Sequence, residues 1–148
     1  RGDYEGPVNR TLLGETRGFL VTKGAVEVSA LPGLHRLDYK TNEKTTKILN
    51  RWWEMRFESA YPSGMMVGHI DGAWKLIDEG MGYALSFLPE NFENRYQLTL
   101  TPLTWPDETP VTRRTWFVYP KEKRLPEKLA DFIKYTESLA ASFSSAYF

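Results

Sequence analysis

His69 and Asp71 stand two residues apart in GHIDGAWKLIDEG, a stretch that passes from a strand-like run into a helix-like one. A histidine there can donate to a carboxylate or respond to pH near neutrality. Acid–base catalysis would need a nucleophile or an oxyanion site close by, and no serine or cysteine motif supplies one. The simplest role for Asp71 is to cap the helix that follows it. A second polar run, YKTNEKTT from Tyr39, lies where another strand gives way to another helix. Backbone amides at a helix start lack partners and form the positive end of its dipole, so they suit an anion. Thr41, Asn42 and Thr45 are therefore candidate ligand contacts; the alternative is that Thr41 or Asn42 only caps the helix.

Other polar and aromatic groups point away from chemistry. Two isolated histidines and carboxylates without ligand spacing make no metal site, and zero cysteines exclude disulfides and thiolate ligands. A reducing compartment, the cytoplasm, fits that usage. Trp52, Trp53 and Trp74 fall at helical spacing and are expected in the core, and His35 is expected at the surface or a hinge. The KEKR run at 121–124 is expected to be a solvated approach to the last helix.

The elements that hold these residues alternate between strand and helix. RGFLVTKGA (17–25) predicts a buried strand, while the preceding RTLLGE is too short to assign. A short helical turn reaches Leu31, Pro32–Gly33 breaks it, and a strand follows near Arg36–Tyr39. From Asn42 the apolar residues Ile48, Leu49, Trp52, Trp53 and Phe57 recur at one-turn spacing, so a helix runs until before Pro62. MMVGHI predicts a strand, Asp71 the start of a second helix with Ala73, Trp74, Leu76 and Ile77 inward, and Gly80 its stop. GYALSFLP then reads as a strand buried on both faces, completing a βαβ unit over 65–88. Two longer strands, RYQLTLTPLT and RRTWFVYP, flank the loop WPDETPV. Leu125 and Pro126 open what should be the longest helix, with Leu129, Phe132, Ile133, Leu139 and Phe143 as its apolar stripe.

Composition sets the outer limits. The 148 residues can bury one core or two small ones, and 41% hydrophobic with 26% charged residues describes a chain that folds. Nineteen basic and nineteen acidic residues cancel, so nothing here is built to hold a phosphate backbone. No run of about eighteen apolar residues offers a membrane span, and no leader is visible. Opening on Arg1 rather than Met suggests a trimmed piece of a longer chain.

RLDYKTNEKTTKILNRWWEMRF, GHIDGAWKLIDEGMGYALSFLP and LTPLTWPDETPVTRRTWFVYPK, in that order and followed by an amphipathic helix, resemble the effector-binding domain of LysR-type transcriptional regulators. The resemblance implies an α/β fold of the type 2 periplasmic-binding-protein kind, with two lobes and the N-terminal part of lobe one missing. Residues 1–23 and 97–148 would form the rest of lobe one and 24–96 lobe two. The chain would cross at Thr22, Lys23 and Gly24 and again at Leu98 and Thr99, which would act as the hinge. It further implies a small, anionic metabolite bound in the inter-lobe cleft by Thr41, Asn42, Thr45, His69 and Asp71. DNA would be contacted only through an absent N-terminal winged helix-turn-helix. No catalytic residue, metal or cofactor is implied, no membrane contact, and a homodimer or tetramer is expected. A solute-binding protein of a transport system shares the architecture and is the alternative.

Overall fold

The computed structural model describes residues 7–89, 92–121 and 126–140. Among the described residues six strands and three α-helices follow the alternation expected. They are β1 (Val8–Thr22), β2 (Leu37–Tyr39), α1 (Glu43–Phe57), β3 (Met65–Val67), α2 (Ile70–Asp78), β4 (Ala84–Leu88), β5 (Thr99–Pro102), β6 (Thr112–Pro120) and α3 (Glu127–Ala140), with a 3-10 turn at Val28–Gly33. The chain divides into two compact units. One comprises Arg17–Phe87 and Glu93–Val111; the other comprises the described residues of Arg1–Thr16, Leu88–Phe92 and Thr112–Phe148.

The first of these units carries the aromatic core. β1 and β5 pair antiparallel from Phe19 opposite Pro102 to Thr22 opposite Thr99, and β4 lies on the other side of β1. β2 and β3 pair in parallel, and a parallel bridge between Arg36 and Tyr83 joins β2 to the start of β4. The predicted βαβ unit is thus present with β2 lying between its two strands, so α2 makes a crossover of one intervening strand. All five residues of β4 are buried, as the continuous apolar run required. Trp52 and Trp53 pack with Leu20, Leu31, Leu49 and Leu85 in the core, which confirms their structural reading. The loop after β5 closes as a hairpin through the Thr104–Pro110 bridge, with Trp105 N–H donating to Thr109.

α2 differs from expectation at its start. The helix begins at Ile70 with His69 in the cap position and no side-chain cap bond, and Asp71 sits inside the first turn. Asp71 therefore complements the dipole as a first-turn carboxylate instead of accepting a capping bond. Gly80 ends the helix as predicted, at φ 80°.

In the other unit, β6 runs antiparallel to the outer part of β1: Lys121 N–H donates to Pro7, and the Thr16 hydroxyl donates to the Arg113 carbonyl. RTLLGE and the apolar run after it are one continuous fifteen-residue strand. Within the described residues α3 has fourteen residues and α1 fifteen. The predicted stripe of α3 is corrected. Ile133 and Thr136 face inward, whereas Leu129 is exposed and Phe132 is 57% exposed. The Glu137 carboxylate accepts from Tyr119 at 2.8 Å and from Thr11 at 3.2 Å, which sets the rotation of the helix. Leu125, Phe143 and most of KEKR lie outside the described residues.

Candidate functional site

β2 ends at Tyr39 and α1 starts four residues later, so the chain turns sharply and leaves the helix start beside the sheet edge. Asn42 holds the turn. Its side-chain oxygen accepts from Thr45 N–H at 2.9 Å, while its carbonyl accepts from Thr46 N–H at 3.2 Å. Beside this start is a cavity of about 240 Å³, lined on its polar side by Thr41, Thr45, Thr46, Arg36, Asp38 and Tyr61 and on its apolar side by Leu49, Pro62, Met66 and Leu85. Every lining residue belongs to the same compact unit.

Of the five predicted ligand contacts, Thr41 and Thr45 line this cavity and Asn42 shapes it by capping α1. His69 and Asp71 are both exposed and line neither this cavity nor the second one described below. The five residues expected at the hinge fall inside one compact unit, where Thr22 and Thr99 stand opposite each other across β1 and β5. The Thr22 hydroxyl donates to the Gly24 carbonyl at 2.8 Å, Gly24 has φ 79°, Leu98 is buried with its N–H held by Asn94, and Lys23 pairs with Asp78 at 4.0 Å.

Arg36 is the residue that sequence reading missed. It is only 8% exposed, its Nη2 donates to the Asp38 carboxylate, and its guanidinium lies 3.6 Å from the centre of the Tyr61 ring. Nε and Nη1 find no hydrogen-bond partner among the described residues. Arg36 immediately precedes β2 and Asp38 lies within it, so the two side chains at i and i+2 share one face of the extended chain, and that alternation was the available signal. A second hollow of about 310 Å³, walled by Pro32, Leu34, His35, Met65 and Met81, shares Arg36, Pro62 and Ser63 with the first. His35 is exposed there, as expected.

Two phenols lie near this charge pair. Burial pushes Tyr83 up to about 12, with Arg36 pulling the other way and Asp38 adding to the rise. Burial likewise holds Tyr61 well above the ordinary phenol value. Both are neutral at physiological pH. A phenol whose folded value exceeds its unfolded value of about 10 contributes stability that is complete below pH 10 and lost as pH rises through the folded value. Unfolding free energy should therefore be insensitive to these groups up to pH 9 and fall between pH 10 and 12. In Tyr83→Phe, the share due to Tyr83, at most about 1.4 kcal/mol per pH unit, should vanish from that decline. Urea unfolding at a series of pH values checks this, and identical slopes for the two proteins would contradict it.

Among the described residues no three His, Asp or Glu side chains group to hold a metal ion, and no helix is long and apolar enough to cross a membrane. No family model and no curated protein matches the sequence. Solved structures do. The regulatory domain of HypT from Salmonella typhimurium superposes with a TM-score of 0.66 at 18% identity, covering 93% of this chain and 68% of that one. The regulatory domain of CcmR from Synechocystis PCC6803, in complex with 2-PG, gives 0.68 at 15% identity, covering 95% of this chain and 70% of that one. The fold is that of a LysR-type regulatory domain. Such domains have the type 2 periplasmic-binding-protein-like architecture that the sequence resemblance implied. The chain spans about two thirds of these regulatory domains. It spans 48% of full-length HypT, a hypochlorite-specific LysR-type regulator, at a TM-score of 0.69 and 18% identity.

Proposed function

We propose that this chain is the ligand-sensing part of a LysR-type transcriptional regulator and that its effector is a small anionic metabolite held at the start of α1. The cavity beside α1 carries this reading: it combines a helix N-terminus, hydroxyls from Thr41, Thr45 and Thr46, and a buried guanidinium. A neighbour of the same fold was solved with 2-PG, which supports small-molecule sensing on this scaffold. In this reading Thr22–Gly24 and Leu98–Thr99 are the crossing segments between a lobe of residues 24–96 and a lobe of 1–23 with 97–148. DNA binding belongs to a helix-turn-helix elsewhere in the parent, which works as a cytoplasmic dimer or tetramer. Occupancy shifts the population of the state that the ligand prefers, by no more than its differential affinity.

Thermal unfolding of the chain against a library of small carboxylates, phosphate esters and neutral metabolites tests the reading. A ligand at 100 times its Kd should add about 2.7 kcal/mol and raise Tm by roughly 5–10 °C. A library in which no compound raises Tm would overturn it.

A further inference from the structure

We propose that Met65 and Met81 form an oxidation-responsive site: a two-electron oxidant of the peroxide class converts their thioethers to sulfoxides and turns the apolar hollow they line polar, with the fold retained. This goes beyond the sensing reading above and does not depend on it.

All the sulfur in this chain is thioether, since it has four methionines and no cysteine. Methionine is ordinarily among the buried residues, yet all four are exposed here: Met65 at 53%, Met81 at 45%, Met66 more than either, and Met55 on α1. No thiol competes with them for an oxidant. Met65 and Met66 are successive residues of β3, so they point to opposite faces of the sheet. Met66 lines the cavity beside α1, whereas Met65 lines the hollow of about 310 Å³ and shares it with Met81 from the turn after α2. Pro32, Leu34, Leu37 and Pro62 are its other apolar walls. Leu34 is exposed too, so three long apolar side chains stand open to solvent around one hollow.

With hydrogen peroxide the step balances without a further reactant. A lone pair on sulfur attacks one peroxide oxygen, the S–O bond forms as the O–O bond breaks, and the attacked hydroxyl passes its proton to the departing one, which leaves as water. Sulfur loses two electrons and peroxide gains them. The product carries a strong hydrogen-bond acceptor where the wall was apolar. Neither Met65 nor Met81 belongs to the buried core around Trp53, so the change stays local and the fold survives it. Met55 is the contrast: it is exposed to a similar degree but lines neither hollow, so its oxidation should alter nothing at this site. The hollow is therefore apolar when reduced and polar when oxidised, and methionine sulfoxide reductases can reverse the change.

Titration of the whole 148-residue chain with the fluorescent probe 1-anilinonaphthalene-8-sulfonate, before and after hydrogen peroxide, tests it, with peptide mass spectrometry to locate the sulfoxides. Peroxide should convert Met65 and Met81, leave the far-ultraviolet circular dichroism unchanged and weaken probe binding by about tenfold, the scale of one lost apolar methylene contact at each sulfur. Methionine sulfoxide reductases A and B should restore the probe. A double variant, Met65→Leu with Met81→Leu, keeps the apolar volume without the sulfur and should bind the probe equally before and after peroxide. Met55→Leu should lose it on oxidation as the unaltered chain does. The proposal would be overturned by Met65 and Met81 staying reduced while Met55 is converted, by loss of the dichroism signal on oxidation, by a probe that does not bind the untreated chain, or by a double variant that loses the probe on oxidation. The Tm screen of the sensing reading uses untreated chain and other ligands, so each can fail without the other.

Discussion

Trp53→Ala lowers the unfolding free energy by about 3–5 kcal/mol, the range for a large aromatic removed from a packed core. Trp53 is 1% exposed and among the largest fully buried side chains. Its ring centre lies 4.2 Å from that of Phe57 and 5.4 Å from that of Tyr61, and its indole N–H donates to Ser59. Truncation opens a void beneath all three and frees Tyr61, the ring on which Arg36 rests. A protein of this size has about 5–15 kcal/mol in total, so the loss removes roughly a fifth or more of its stability. Met55 supplies the comparison: it sits on the same helix but is 47% exposed, and Met55→Ala should stay within about 0.5 kcal/mol of the unaltered chain. Urea unfolding followed by circular dichroism reads both variants, because loss of a tryptophan does not distort that signal as it would fluorescence. Equal midpoints for the two variants would contradict the core role assigned to Trp53.

What the sequence announced and what it concealed follow from where each element gets its energy. α1 was legible because its apolar spacing, its Asn42 cap and its packing agree: Thr45, Leu49, Trp52 and Trp53 are the buried residues, and Asn42 bonds Thr45. β4 was legible because five consecutive buried residues leave no polar face. β1 was half legible. Its inner end is apolar, but its outer end alternates weakly and owes its order to β6, whose Arg113 is ninety-seven positions from the Thr16 that bonds it. α3 misled because its apolar residues cover more than one face, and the contacts that choose the face are polar ones made by Glu137. The candidate site divides the same way. Thr41 and Thr45 could be named from the helix start alone, since unpaired amides are a property of any helix end. Arg36 could not, because a charged residue on a strand is ordinarily solvated. Only Tyr61, twenty-five positions on, closes over it and makes it a buried cation.

Gly82 shows the same dependence on tertiary approach, and Gly82→Ala should cost about 3 kcal/mol or more, since it combines backbone strain, a steric clash and lost hydrogen bonds. Its φ is 146°, which side-chain-bearing residues rarely adopt, and a Cβ placed there would lie 2.0 Å from the His35 carbonyl oxygen. That carbonyl accepts from Tyr83 N–H at 3.0 Å, and the Tyr83 carbonyl accepts from Leu37 N–H at 2.8 Å. The pair of bonds is what joins β2 to β4. Relief of the clash must push Gly82 and His35 apart, so both bonds lengthen and β2 loses its anchor, with Asp38 on it and Arg36 just before it. Gly33→Ala isolates the effect: no atom lies within 4 Å of its added Cβ and its φ is ordinary, so it should be neutral or gain up to about 1 kcal/mol through the unfolded chain. Hydrogen exchange gives the second reading. The Tyr83 and Leu37 amides should lose protection in Gly82→Ala and keep it in Gly33→Ala. Retained protection at both amides in Gly82→Ala would mean that β2 and β4 are held together by side-chain packing and not by this close backbone approach.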